Sequence, residues 1–173
     1  GPSDFVTNFS EINIAPMSIS YEYEPCDFLK TAELYQKEIF GSYTKASGED
    51  LNSVLTGIVQ QKGSIHIAFP EPIRKEELDA ISHDNVKVRI SELAQIIDNR
   101  INNKFKLWKT NYIAYDLINN TNTYADKYTP DQKIDFTDYM NSQLDKIIGE
   151  REVLKRIFLG IYANSVTNRQ TNS

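Results

Sequence analysis

The sequence predicts an α/β fold, an incomplete mixed sheet of a few strands in residues 1–74 followed by a mainly helical C-terminal region in residues 75–173. Three observations predict it. Residues 12–23 and 63–69 carry the alternation and the Ile, Tyr and Phe content of strands. Beyond residue 74, apolar side chains recur at helical spacing with little interruption. With 173 residues, 40% of them hydrophobic and 25% charged, the chain can bury a core without a metal or disulfide staple. A sheet of two or three strands is marginal alone, so helices must cover it or further strands must join it.

Residues 12–23, INIAPMSISYEY, read as a strand that ends in the turn at Glu24-Pro25. Pro16 lies within this stretch and cannot donate to a ladder, so the strand must be irregular or unpaired on one side there. From Asp27 to Phe40, the steps between Phe28, Ala32, Tyr35 and Ile39 are helical, and Gly41 stands where a helix stops. Residues 42–50 have the composition of a surface loop, and 51–60 read as a short helix. Residues 63–69 alternate, with Ile65, Ile67 and Phe69 on one face and Ser64, His66 and Ala68 on the other; Pro70 and Pro72 end the strand. In the helical region Val88, Leu93, Ile96, Ile97 and Ile101 form an apolar stripe. Thr129-Pro130-Asp131-Gln132 is a reciprocal capping signal with proline at the first helical position. It opens a helix carrying Phe136, Met140, Leu144 and Ile147 on one face, and a last helix over 150–163 carries Val153, Leu154, Ile157, Phe158 and Ile161.

Composition excludes several function classes. No apolar run approaches the roughly 20 residues that a membrane span needs, and no basic start precedes an apolar core as in a secretory signal. Cys26 is the single cysteine, which excludes an internal disulfide and a zinc site built on paired thiolates and points to a reducing compartment. The net charge of -5 argues against nucleic acid as a partner, because phosphate binding needs clustered Lys and Arg.

The candidates for chemistry are few. His66 and His83 are the only histidines, and histidine is the commonest general base near neutral pH. Glu71 follows His66 at the fifth position, yet Pro70 intervenes, and the competing reading is a partly buried strand histidine. His83 lies in a turn-like Ser-His-Asp-Asn cluster. No Gly-x-Ser-x-Gly elbow exposes a serine nucleophile. Cys26 stands before a helix whose dipole would lower its pKa, but no base accompanies it, so a structural thiol is the simpler reading. Trp108, Tyr112, Tyr115, Tyr124 and Tyr128 could line a ligand groove or pack a core, and packing is the expectation. No catalytic residue, metal site or cofactor site is assigned.

The segment Asp4 to Lys30, and within it Ile14-Ala15-Pro16-Met17-Ser18-Ile19-Ser20-Tyr21, resembles the fourth motif block of the glycerol-3-phosphate and 1-acylglycerol-3-phosphate (lysophosphatidate) acyltransferases. Residues 63–72, 111–117 and 125–129 resemble the tail of a bacterial subgroup of that family, so the resemblance covers nearly the whole chain. It implies that residues 1–74 are the C-terminal part of the acyltransferase α/β domain and residues 75–173 a helical extension. The family's catalytic block is His-x-x-x-x-Asp, but here His66 is followed by Glu71 and His83 by Val88. The resemblance therefore implies that the base lies upstream of residue 1 and that this chain is inactive alone. Phe69-Pro70-Glu71 is similar to the family's Phe-Pro-Glu-Gly phosphate block but lacks its glycine. Only Pro16 is carried over, as a substrate-binding residue in a wall of the acyl and acceptor pocket. The resemblance implies acyl transfer from acyl-CoA or acyl carrier protein to a glycerol phosphate acceptor in phospholipid biosynthesis, in the cytoplasm and with peripheral contact at the inner face of the membrane. The alternative is a non-catalytic helical interaction or regulatory module derived from the acyltransferase tail.

Overall fold

The computed structural model describes residues 2–81 and 85–171. Most of this is helix. The two strands among the described residues, β1 (Ser18–Tyr21) and β2 (Ile65–Ala68), form an antiparallel pair. A small sheet with a mainly helical C-terminal region is thus present, but in place of the expected mixed sheet there is one antiparallel pair, its strands separated in sequence by residues 22–64. The chain forms two compact units, residues 2–20 with 66–106 and residues 21–65 with 107–171. The boundary expected at residue 74 falls within the first of them.

The first unit holds α1 (Pro2–Ile12), α4 (Lys75–Ala80) and α5 (Val86–Lys104). Its core gathers Phe5, Ile73, Leu78, Ile81 and Leu93, with Ile96 and Ile97 packed against them. The Phe5 and Phe9 rings lie 4.7 Å apart and the Arg89 guanidinium sits 4.8 Å from the centre of Phe5. The backbone N–H of Ile73 donates to the carbonyl of Ile14, which ties the segment before β1 to the segment before α4.

The strand expected over residues 12–23 is corrected at its start. Phe5 and Phe9 share a helix face, and α1 runs to Ile12, where Asn13 at φ 52 ends it. Asparagine tolerates the left-handed region better than most residues, which suits it to this exit. Pro16 then has no N–H to give a ladder, so β1 begins only at Ser18.

The second unit holds α2 (Asp27–Phe40), α3 (Glu49–Val59), α6 (Lys109–Asn119), a 3-10 turn at Ala125–Lys127, α7 (Pro130–Leu144) and α8 (Arg151–Thr171). α2 ends as expected: Gly41 adopts φ 74 and its N–H donates to the carbonyl of Lys37. The α7 cap is also as expected. The Gln132 N–H donates to Thr129 Oγ1 at 3.2 Å and the Thr129 N–H donates to Gln132 Oε1 at 3.0 Å. α6 and α8 pack together most extensively, and Phe136, Met140, Leu144, Leu154 and Phe158 fill the core between the helices. α8 continues eight residues beyond the expected end at Ala163, to Thr171.

Candidate functional site

The one residue expected to touch substrate, Pro16, is buried, and it does not sit inside a strand but two residues ahead of β1. From there the backbone is extended, so alternate positions share a face. Pro16, Ser18 and Ser20 all take the buried face, whereas Met17 is exposed. Both serines are 1% exposed, and among the described residues neither hydroxyl has a hydrogen-bond partner. Leaving a buried hydroxyl unmade costs about 1–3 kcal/mol, so two in succession are a departure from ordinary packing. Chemically, the pair can donate to or accept from a polar group, but neither has a base beside it.

His66 lies on β2 in the same unit. With Ala68 it takes the more sheltered face of that strand, while Ile65 and Ile67 are about half exposed and Phe69 is more so. The apolar face of β2 is therefore turned out, a reversal of ordinary amphipathic strand packing. The carboxylate of Glu71 sits 3.6 Å from Arg74 on the surface, and its carbonyl accepts from Arg100. The structure gives no pairing of His66 with Glu71. His83 lies outside the described residues.

In the second unit, a buried cluster of polar groups surrounds Asp27, which is 1% exposed at the first position of α2. Its carboxylate accepts from the hydroxyls of Tyr139 and Tyr162, each at 2.8 Å, and from the N–H of Phe28 at 2.7 Å. Burial pushes its pKa up, and those three donors only partly offset the shift. Burial likewise pushes the phenols of Tyr139 and Tyr162 well above their ordinary value, with the charge on Asp27 adding to the effect. Tyr162 also accepts from the N–H of Glu24 at 3.0 Å. The phenol hydrogen bonds run between side chains of α2, α7 and α8, so the cluster serves to join the three helices.

A second polar joint lies at Glu22. Its carboxylate accepts from the Ser64 N–H at 3.0 Å and pairs with the Lys109 ammonium at 2.9 Å. Burial opposes the charged form, but those donors outweigh it and hold the carboxyl below its ordinary value. Gly63 makes this possible: it adopts φ 61, and a Cβ there would stand 2.8 Å from Glu22 Oε2.

The remaining candidates resolve into structure. Cys26 precedes α2, but its Sγ donates to the carbonyl of Ser53 and burial raises its pKa, the opposite of an activated thiol. Tyr124 packs against Tyr112 and Tyr115 with ring centres 5.0 and 5.3 Å apart, and Gln170 bonds the hydroxyls of Tyr115 and Tyr124. Tyr128 donates to the buried carboxylate of Asp116 at 2.7 Å, and burial with that contact pushes its phenol up to about 12. No group of three or more His, Cys, Asp and Glu among the described residues is placed to hold a metal ion.

The chain matches no family model, no curated protein and no solved structure. Sequence reasoning missed Ser18, Ser20 and Asp27. The spacing of Pro16, Ser18 and Ser20 on one strand face was a usable signal, since small polar residues at every second position reserve a face for something other than a hydrophobic core. Asp27 had none, because its partners Tyr139 and Tyr162 lie 112 and 135 residues away.

Proposed function

We propose that this chain is part of an acyltransferase that moves a fatty acyl group from a thioester, acyl-CoA or acyl carrier protein, to glycerol 3-phosphate or lysophosphatidate at the cytoplasmic face of a membrane. Its role is to form pocket wall, while the general base comes from another part of the protein. One observation supports the reading. The segment resembling the family's motif block, residues 14–21, buries Pro16, Ser18 and Ser20 on one face with two hydroxyls unspent. Such hydroxyls, covered in this fold, become available to a polar acceptor once the face they share with Pro16 is opened. β1 also carries a strand on one edge only among the described residues, so its other edge can take a further strand. The second reading, a non-catalytic interaction module, draws support from the helical second unit, whose polar joints are closed on themselves.

Two measurements test the proposal. The 173 residues alone should show no acceptor-dependent release of thiol from an acyl thioester, because a positioned base contributes about 10²–10⁴ in rate and His66 has no orienting acid. Turnover abolished by His66→Ala would overturn this. In the complete enzyme, Pro16→Ala should lower turnover on the order of 10- to 100-fold through a displaced wall. It should cost no more than about 1 kcal/mol of stability through the freer unfolded chain. Wild-type turnover and acceptor affinity in a folded Pro16→Ala enzyme would remove Pro16 from the site.

A further inference from the structure

α2 is held to its unit mainly by polar groups. Its buried residues are Asp27 and Thr31, and the Thr31 hydroxyl is spent on the carbonyl of Asp27 at 2.7 Å. Leu34, Ile39 and Phe40 are 43–73% exposed and add little to its docking. α8, in contrast, buries Leu154, Phe158, Leu159 and Val166. The other ties of α2 lie nearer the surface. Tyr35 is partly buried against the core, and its hydroxyl accepts from the Glu150 N–H at 3.0 Å. Glu38 pairs with Arg156 at 2.6 Å where both side chains are about half exposed, and an ion pair so exposed contributes little. A helix with few buried apolar contacts belongs to the low end of local stability, and the buried group that anchors this one is titratable.

The anchor is built around one oxygen. Tyr139 from α7 and Tyr162 from α8 both donate to Oδ2 of Asp27, each at 2.8 Å, while Oδ1 takes the N–H of Phe28 at 2.7 Å. All of these donors are neutral. Among the described residues no cation pairs with the carboxylate: Lys30 is engaged by Glu24 at 3.1 Å, and Lys146, just past α7, lies 4.9 Å from the centre of the Phe28 ring. The other titratable groups facing the site, Glu24 and Cys26 in the turn before α2, are anionic when ionised, and the charge of Glu24 opposes that of Asp27.

The charged form of Asp27 thus has dipoles around it and no counter-charge, in a site 1% exposed. The neutral form can be bonded equally well, because its O–H can turn to one phenol oxygen while the other phenol goes on donating. Only the charged form gains by leaving, since undocking α2 carries the carboxylate into water.

We propose that a proton on Asp27 keeps α2 docked, and that its loss releases α2 from α7 and α8 while those two helices remain folded around their own core. Burial raises the carboxyl's pKa in the docked form, and the phenols and the Phe28 N–H oppose that shift only in part. Docking is therefore strongest below the ordinary carboxylate value and weakens as the pH rises through the docked value. The inference rests on α2 and its contacts and stands separately from the acyltransferase reading.

Hydrogen exchange of the full 173-residue chain, resolved along the sequence and expressed as protection relative to the intrinsic rate at each pH, tests it. Between about pH 4 and pH 8, where carboxylates and their raised forms titrate, protection over residues 27–40 should fall by about tenfold or more relative to α8. Asp27→Asn, which keeps an acceptor on a neutral side chain, should hold that ratio constant to within about twofold. Tyr139→Phe removes one donor from the charged form and should carry the fall to higher pH, a second reading that does not depend on the asparagine variant folding. A fall shared equally by α2 and α8, or a wild-type ratio that does not change with pH, overturns the proposal. So does the same fall in folded Asp27→Asn, or a Tyr139→Phe profile parallel to that of the wild type.

Discussion

Replacing Phe158 with alanine is expected to destabilise the second unit by about 3–5 kcal/mol, the usual cost of removing a fully buried aromatic ring and leaving its cavity. Phe158 has no exposed surface and lies on α8, with ring centres 6.4 Å from Phe136, 5.3 Å from Tyr162 and 6.4 Å from Tyr139. It therefore touches two rings of α7 as well as one on its own helix, and its loss is felt across both. Because a domain of this size is stable by only about 5–15 kcal/mol, urea unfolding should register a large drop in midpoint. A loss below about 1 kcal/mol would mean that Phe158 is not at the centre of this core.

Removal of the Tyr162 hydroxyl should have the next largest effect, and a pH signature distinguishes it from simple loss of packing. Tyr162→Phe strands the N–H of Glu24 and deprives the Asp27 carboxylate of one of its two phenol donors. An unmade buried hydrogen bond to a charged group costs about 1.5–3 kcal/mol. Burial has already raised the pKa of Asp27 in the folded chain above its ordinary 3.8. The folded chain thus holds that proton more tightly than the unfolded one. The contribution of Asp27 to stability is full below the unfolded carboxylate value and is lost as the pH rises through the folded value. Without the Tyr162 donor the folded value rises further, so Tyr162→Phe should extend that loss to higher pH, whereas Asp27→Asn should abolish it. Urea midpoints measured from pH 3 to pH 8 (about the range over which carboxylates and their raised forms titrate) check both. If the Tyr162→Phe profile ran parallel to that of the wild type, the phenol would not be serving the carboxylate.

The sequence reading succeeded where the deciding interactions are local, and it failed where they are not. β2 was legible from its alternation, but which of its faces would be covered was not. The strand assigned to residues 12–23 began too early because Ile12 and Ile14 were credited to a sheet, while Phe5 and Phe9 were already committing the segment before them to α1; β1 itself lies within the assigned range. Pro16 was expected inside the strand and lies two residues ahead of β1, while Ser18 and Ser20, which share its buried face, entered the reading only as members of the motif-like segment 14–21. Their burial depends on what packs over β1, and no pattern within the strand states that.

What the sequence determined by itself are the elements whose ends are closed within about four residues. These are the Thr129–Gln132 cap that opens α7, the Gly41 stop of α2, and the stripe of Phe136, Met140 and Leu144 that points α7 into a core. Each is fixed by hydrogen bonds and side-chain spacing that the chain carries wherever it goes. Tertiary structure alone decided that Asp27 would be held by phenols from α7 and α8, that the apolar face of β2 would turn outward, and that α3 would pack by Ser53, Thr56 and Gly57 and leave its aliphatic stripe of Leu51, Val54, Leu55, Ile58 and Val59 exposed. Amphipathicity states only that a helix has two faces. Which face is buried depends on the shape and chemistry of the segment that arrives against it, and at α3 that segment is the turn at Cys26, whose thiol meets a small polar face.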